Sequence, residues 1–400
     1  MTEEAATSEE LRNRLVDQIV ADRPLAPRVE HALRTVRRED NLPGIDLPTA
    51  YTDQAVSIKE NPSGPLPLSC ASVPSMVAMM LDQLDVKAGD NILEIGAGTG
   101  YNAALLDELT GPEGHVTTVD IDEDVALHAR TTLNRSGHDR VRVFERDGLI
   151  GVPEHGPYTR LIGTVGLWDF PNAWWDQLAD DARVVLPLRW RGQTRSIALT
   201  RHGNTLTADS VELCGFVPVI GQDGEKTAAL NTEDTVRIHY DQDQDIDPAA
   251  FDESTFSIPC TTTLSEQRIG GEESFDGVWL RATASDNRVC RVEVTPKALE
   301  SGVRRPSIPM RSPALVSGGS IAYLITEREE ADPQRPFRLG AAAYGPDRDS
   351  LAQDLVAHIN TWGAYRAAIP EINISALADP APDTGFTITK SESRLTLNYP

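Results

Sequence analysis

Apolar positions recur at helical spacing near the start of the chain, first Leu11, Leu15 and Ile19, then Val29, Ala32, Leu33 and Val36. A three-to-four-residue period puts such side chains on one helix face, so two short helices are predicted over 8–21 and 27–38. A proline- and glycine-rich stretch from Pro43 to Pro74, with NPSGPLP at 61–67 at its centre, reads as loop. Val77, Met80, Leu81 and Leu84 then share a helical face over 74–84, with Pro74 tolerable in the first turn. Beyond it, strand-like runs at 92–95, 116–120, 141–144, 160–164 and 183–188 alternate with helical patterns at 101–109, 123–134 and 172–179. Such alternation builds βαβ units and a mostly parallel sheet. Two more strands are expected at 195–201 and 205–213.

The pattern changes after GQDG at 221–224. A strand at 236–240 leads into an acidic loop, strands near 277–282 and 289–294, and a loop rich in proline and serine. A strand at 337–343, a helix at 350–361 and closing strands at 387–390 and 394–398 complete a second, α+β domain. The expected organisation is a helical segment over 1–50, an α/β domain over 51–222 and an α+β domain over 223–400, without internal repeats.

Composition narrows the function classes. At 400 residues the chain is long enough for two to three domains. A hydrophobic share of 40% and a charged share of 24% suit a soluble globular protein. The formal net charge of −24 argues against a nucleic-acid partner, which needs a basic footprint. MTEEAATSEE at the start lacks the apolar stretch of a signal peptide. The near-apolar run at 314–325 is too short and glycine-rich to span a bilayer. Cys70, Cys214, Cys260 and Cys290 lie far apart with no C-x-x-C, so neither a zinc site nor a disulfide framework is expected. A reduced, cytoplasmic protein without membrane partner follows as the default. DQDQDID at 241–247 has acids at calcium-loop spacing, but Ile246 stands where the sharp turn needs glycine, so it reads as a solvated loop. The eight scattered histidines suggest no metal site.

Candidate chemistry gathers at NILEIGAGTG, 91–100, where a strand runs into a glycine turn. A dinucleotide site spaces its glycines G-x-G-x-x-G behind an aliphatic strand end. Here Gly96, Gly98 and Gly100 bring the third glycine one residue early, and Glu94 replaces the aliphatic residue. An acid beside such a turn suits a ligand with an ammonium group. The turn admits close backbone approach, and the following helix N-terminus can face a carboxylate. Asp120, ending the next strand, stands where a carboxylate holds a ribose diol. Asp147, in RDG at 146–148, could accept from an adenine amino group. Ammonium, carboxylate, ribose and adenine together describe S-adenosylmethionine. A bare turn with solvated acids is the alternative. It is disfavoured because all three features end successive strands, along the rim where open α/β sheets bind ligands.

At this point the chain resembles the protein-L-isoaspartate O-methyltransferases. LEIGAGTGYNAALL at 93–106 is similar to their first motif, and VEHALRTVRREDNLP at 29–43 to their N-terminal helix with its V-P-R-x-x-F-x-P ending. AYTD at 50–53 resembles their Y-x-D, and SCASVP at 69–74 falls on their T-I-S-Q-P, which places Ser72 on the active-site serine. RDG at 146–148, Pro157 with Tyr158, and DQL at 176–178 fit later motifs. The resemblance covers about 28–220. It implies an α/β, Rossmann-like S-adenosylmethionine-dependent methyltransferase fold, with S-adenosyl-L-homocysteine as product. It also implies Ser72 and Asp53 as catalytic residues, and Ser69, Ser72, Glu94, Gly96, Gly98, Asp120, Ile121, Asp147 and Gly148 around the cofactor. Capping of the helix over 74–84 is the lesser alternative for Ser72 and compatible with a catalytic role, and Asp53 could be a solvated loop acid.

Departures stand beside the matches. The loop carrying NPSGP at 61–65 is altered, Thr159 replaces an aspartate, and GTVGLWD at 163–169 replaces V-T-A-A-A. The region after about 225 is expected to have no counterpart in the repair enzymes. These changes resemble a branch associated with lanthipeptides. That resemblance implies methylation of an ordinary aspartate in a modified, ribosomally made precursor peptide. The ester would close to a succinimide with loss of methanol, and hydrolysis would give largely isoaspartate. Trp168 and Asp169 then become candidate substrate contacts, although Trp168 could instead be an interface tryptophan, and 223–400 a peptide-recognition domain. Repair of isoaspartate is the runner-up, and a cofactor-binding recognition or assembly protein the other class. A carboxylate acceptor is already ionised near pH 7, so no catalytic histidine or metal is expected.

Overall fold

The computed structural model describes residues 6–62, 67–252, 254–257, 259–329 and 334–399. Part of the NPSGP loop, at 63–65, therefore lies outside the described residues. The chain divides into two units. One holds Met1–Leu188, Thr194–Gln222 and Ile374–Asp379; the other holds Arg189–Gln193, Asp223–Asn373 and Pro380–Pro400.

The first unit opens with α1 (Ser8–Asp22), α2 (Pro27–Thr35) and the single turn α3 (Leu47–Ala50), then a hairpin of β1 (Val56–Lys59) and β2 (Ser69–Ala71). Thr7 and Glu10 form a reciprocal capping box that starts α1. There follow α4 (Pro74–Leu84), β3 (Asn91–Ile95), α5 (Tyr101–Thr110), β4 (His115–Asp120), α6 (Glu123–Ser136), β5 (Arg142–Glu145) and β6 (Tyr158–Gly163). The turn α7 (Asn172–Trp175) and the strands β7 (Leu178–Trp190), β8 (Gln193–His202) and β9 (Thr205–Leu213) come last.

Strands β3 to β9 lie side by side in one sheet, in the order β9-β8-β7-β6-β3-β4-β5. β3 pairs in parallel with β4 on one side and with β6 on the other. The chain thus moves outward from β3 to β4 and β5 before returning to β6, so the strand order reverses beside β3. In open α/β sheets that reversal leaves a crevice at the strands' C-terminal ends. Ile92, Leu93, Leu105, Leu106 and Ile162 are at most 1% exposed, as expected where helices cover a parallel sheet. The expected helix over 172–179 shrinks to α7. The buried Trp174 indole donates to the Gly148 carbonyl, and the chain turns directly into β7.

The second unit contains β10 (Glu225–Ala229), β11 (Val236–Asp241), β12 (Thr261–Ile269), α8 (Asp276–Ala282), β13 (Val289–Val294) and α9 (Pro296–Glu300). It continues with β14 (Ser312–Ser317), β15 (Ser320–Arg328), β16 (Phe337–Tyr344) and α10 (Arg348–Ala364). Seven strands form an antiparallel sheet in the order β10-β11-β13-β14-β15-β16-β12. One apolar cluster joins Trp279 of α8 and Leu351, Leu355 and Ile359 of α10 to the sheet residues Leu324 and Leu339. Ile238, Val292, Tyr323 and Tyr344 belong to a second cluster.

Three expectations for this unit need correction. Residues 277–282 form the helix α8 rather than a strand, because a short apolar run has no periodicity to separate the two. The 314–325 run is two paired strands joined at Gly318 and Gly319, with Ser317 opposite Ser320. The acids at 241–247 are not simply solvated. Asp241 is fully buried and accepts from the backbone and guanidinium of Arg191, which also holds Asp243. All four cysteines are free thiols. Among the described residues no helix is long and apolar enough to cross a membrane, and no cluster of three metal-ligating side chains occurs.

Candidate functional site

The glycine turn sits where β3 ends, at the strand-order reversal. Gly96 has φ of 99°, and a Cβ there would stand 2.6 Å from Thr164 Oγ1, so both conformation and space require glycine. Thr164 donates to the Gly96 carbonyl at 2.6 Å, pinning the turn to the end of β6.

Asp120 stands at the rim, half-buried at the end of β4. Its Oδ2 accepts from the Gly98 N–H and its Oδ1 from the Asp122 N–H, both at 3.2 Å. Burial pushes its pKa up while these amides pull it back. The adjacent Ile121 is 45% exposed. Asp147 spends Oδ1 on the Leu149 N–H and keeps its other oxygen in a half-buried position. Gly148 is required by packing, since a Cβ would meet Ile95 Cγ2 at 2.5 Å.

Glu94 departs from the expectation of an acid open to a ligand ammonium. It is fully buried; Asn102 Nδ2 donates to one oxygen at 2.7 Å and Thr118 Oγ1 to the other at 2.5 Å. Burial raises its pKa to about 7 against these two hydrogen bonds. Its geometry lets it order the start of α5 and the middle of β4 from beneath the turn. Asn102 and Thr118 were not singled out in the sequence. Asn102 two residues beyond the last glycine, and the paired Thr117 and Thr118 at the middle of β4, are the available signals.

The Ser69–Ala71 strand lies against the glycine turn, for a Cβ on Gly98 would stand 3.7 Å from the Cys70 carbonyl. Lys59, opposite Ser69 in the hairpin, places its ammonium 2.7 Å from Asp122 and 2.9 Å from Asp124, at the start of α6. Ser69 and Ser72 are both half-buried. Ser72 does not cap α4, whose N-cap is Val73 without any side-chain bond. The first-turn amide of Ser75 is instead met by Asp53 Oδ1 at 2.8 Å. Asp53 is therefore engaged with the backbone rather than loose in its loop.

The remaining candidates divide. Trp168 and Asp169 follow the end of β6 but are only 4% and 1% exposed, so neither presents its side chain at the surface. Gln222 accepts from both their backbone N–H groups. Thr159 lies at the opposite end of β6, where it donates to Asp90 at 2.8 Å and accepts from the Asn91 N–H. Its departure from the motif is thus remote from the turn and says nothing about the acceptor.

A profile of the protein-L-isoaspartate(D-aspartate) O-methyltransferase family matches residues 9–224. A protein-L-isoaspartate O-methyltransferase of Methanocella arvoryzae is 38% identical over 191 residues, covering 48% of this chain and 97% of that protein. One from Hyperthermus butylicus is 35% identical over 234 residues, covering 56% of this chain and 94% of its own. A solved structure with the same name shares 19% identity at a TM-score of 0.52, covering 92% of this chain and 97% of that one. At that identity the likeness speaks for the fold alone. The two relatives are almost wholly matched by about half of this chain, as expected for the region after 225, whereas that structure's coverage runs well past Gln222, so a fold counterpart of the region does occur under that name.

Proposed function

Because the chain belongs to the protein-L-isoaspartate(D-aspartate) O-methyltransferase family, we propose that it transfers a methyl group from S-adenosylmethionine to the carboxylate of an aspartyl-derived residue in a peptide. The observation that carries this reading is the rim itself: the glycine turn, Asp120 at the next strand end, and the Ser69–Ala71 strand laid against the turn. The cofactor's part is an electrophilic methyl carbon, to which a carboxylate oxygen bonds as the carbon–sulfur bond breaks and its electron pair stays on sulfur. No proton has to move. The chain's work is therefore positioning, which can contribute on the order of 7–11 kcal/mol when the reacting atoms are aligned in a dry site. Asp120 is suited to the ribose hydroxyls, Ile121 to one face of the adenine, Asp147 and Gly148 to its edge, and Ser69 and Ser72 to the carboxylate groups.

An isoaspartyl residue is the acceptor that the relatives' names support. An ordinary aspartate in a modified precursor peptide is a second reading. It is favoured by GTVGLWD at 163–169, the one departure that follows directly from a strand end at the site. In that reading the second unit contributes to peptide recognition.

Three acceptors separate the readings: an isoaspartyl hexapeptide, its aspartyl twin, and an aspartyl peptide closed by a thioether ring. Selective turnover of the first supports the isoaspartyl acceptor, and selective turnover of the ringed peptide supports the second reading. Ester formation on none of them would overturn both.

A further inference from the structure

Arg38 is a charged side chain that is 1% exposed, beside the site yet outside every role assigned above. Its Nε donates to the Ala50 carbonyl at 3.0 Å and its Nη2 to the Ser72 carbonyl at 2.9 Å. The guanidinium carbon lies 5.1 Å from the centre of the Tyr101 ring, in the residue directly after the last glycine of the turn. Nη1 is buried and has no hydrogen-bond partner. An arginine stays charged in a protein, and a buried cation with an unused N–H is unfavourable for a residue that only fills space.

Those contacts join three pieces of chain. Ala50 ends α3 and leads to Asp53, Ser72 directly follows β2, and Tyr101 begins α5. Asp53 repeats the tie three residues along, accepting from Ser75. Positions 50 and 72 are thus joined through Arg38, and 53 and 75 through Asp53. The β1–β2 hairpin leaves this base with Val56 opposite Ala71.

We propose that Arg38 is a positioning residue for methyl transfer. Its guanidinium clamps the end of α3 and the residue after β2 onto α5 and so sets where Ser72 stands against the glycine turn. This rests on the proposed methyltransferase reading. The clamp needs a planar fork that reaches two carbonyls while stacking on a ring. Lysine keeps the charge but brings a flexible stem and a compact ammonium that cannot do all three. Displacing reacting groups by about 1 Å can cost a hundredfold in rate.

The test compares the full chain with Arg38→Lys and Arg38→Ala in three measurements. These are peptide methylation kinetics, S-adenosylhomocysteine binding by calorimetry, and amide hydrogen exchange. For Arg38→Lys the expected result is a kcat lower by roughly tenfold to a hundredfold. S-adenosylhomocysteine affinity should fall by less than kcat does, because Asp120 and the glycine turn are not hydrogen-bonded to Arg38 while Ser72 is displaced with its strand. Exchange should quicken at 50–53 and 69–75 and stay slow in β3 and β4. Added guanidinium should partly restore Arg38→Ala, and ammonium should not. Wild-type kcat with unchanged exchange at 69–72 overturns the proposal. So does uniform loss of protection together with loss of cofactor affinity, which would make Arg38 a general scaffold residue. If the unaltered chain methylates no peptide, the functional reading fails separately. The exchange pattern then decides the clamp alone: quickening confined to the hairpin base upholds it, and no change refutes it.

Discussion

Glu94 carries a pH signature that can be read without any substrate. Burial holds its pKa near 7, well above the ordinary glutamate value near 4.3. A raised carboxyl pKa means that folding favours the protonated acid. That contribution is complete below the unfolded value and is lost as pH rises through about 7. Between pH 4.5 and 8 the wild type should therefore lose about 3 kcal/mol relative to Glu94→Gln, measured by urea unfolding at matched pH. A pH-independent difference would remove the buried acid from the account. Asp120, half-open at the rim, should behave differently. Asp120→Ala is expected to weaken S-adenosylhomocysteine binding by about 1.5–3 kcal/mol, tenfold or more, in a calorimetric titration. At this scale the glycines and Asp120 were legible because spacing and strand ends announce them. Arg38, Asn102 and Thr164 were not. Their contacts join residues far apart in sequence, or a side chain to a backbone carbonyl, and no local pattern encodes such partners.

The hairpin β1–β2 and helix α4 depend on each other through Asp53. Removing the carboxylate in Asp53→Ala leaves the Ser75 amide without its acceptor and should cost about 1 kcal/mol, the usual scale for a lost helix cap. Asp53→Asn keeps an oxygen for that amide and should lose much less. Equal losses in urea unfolding would contradict the capping role. Elements with strong periodicity, such as α4 and the strands of the parallel sheet, were visible in the hydrophobic pattern. Short elements were less so. α8 is seven residues of mixed apolar character, and tertiary packing rather than periodicity made it a helix. The β14–β15 hairpin did carry a signal, the Gly318–Gly319 pair between apolar runs, which marks a two-residue turn.

The whole molecule is strongly acidic, with a formal net charge of −24. Acceptor peptides flanked by lysine should thus associate more readily than glutamate-flanked ones. That preference in kcat/KM should shrink as salt rises from about 20 to 200 mM and the screening length falls below 10 Å. A salt-independent preference would instead point to local pockets. The two units are also interleaved in sequence. Trp190 and Arg191 are fully buried and belong to the second unit, and 374–379 belongs to the first, so a cut near 224 would damage both. Questions about the second unit are better put to the intact chain. Methyl transfer to a peptide carboxylate is recognised by the chemical bond that it makes. The intact chain would be incubated with methyl-labelled S-adenosylmethionine and the three acceptor peptides, and the labelled product treated with mild base. Label is expected on a peptide that base releases as methanol, the mark of a carboxyl ester. Base-stable label, or no label on any acceptor, would contradict it.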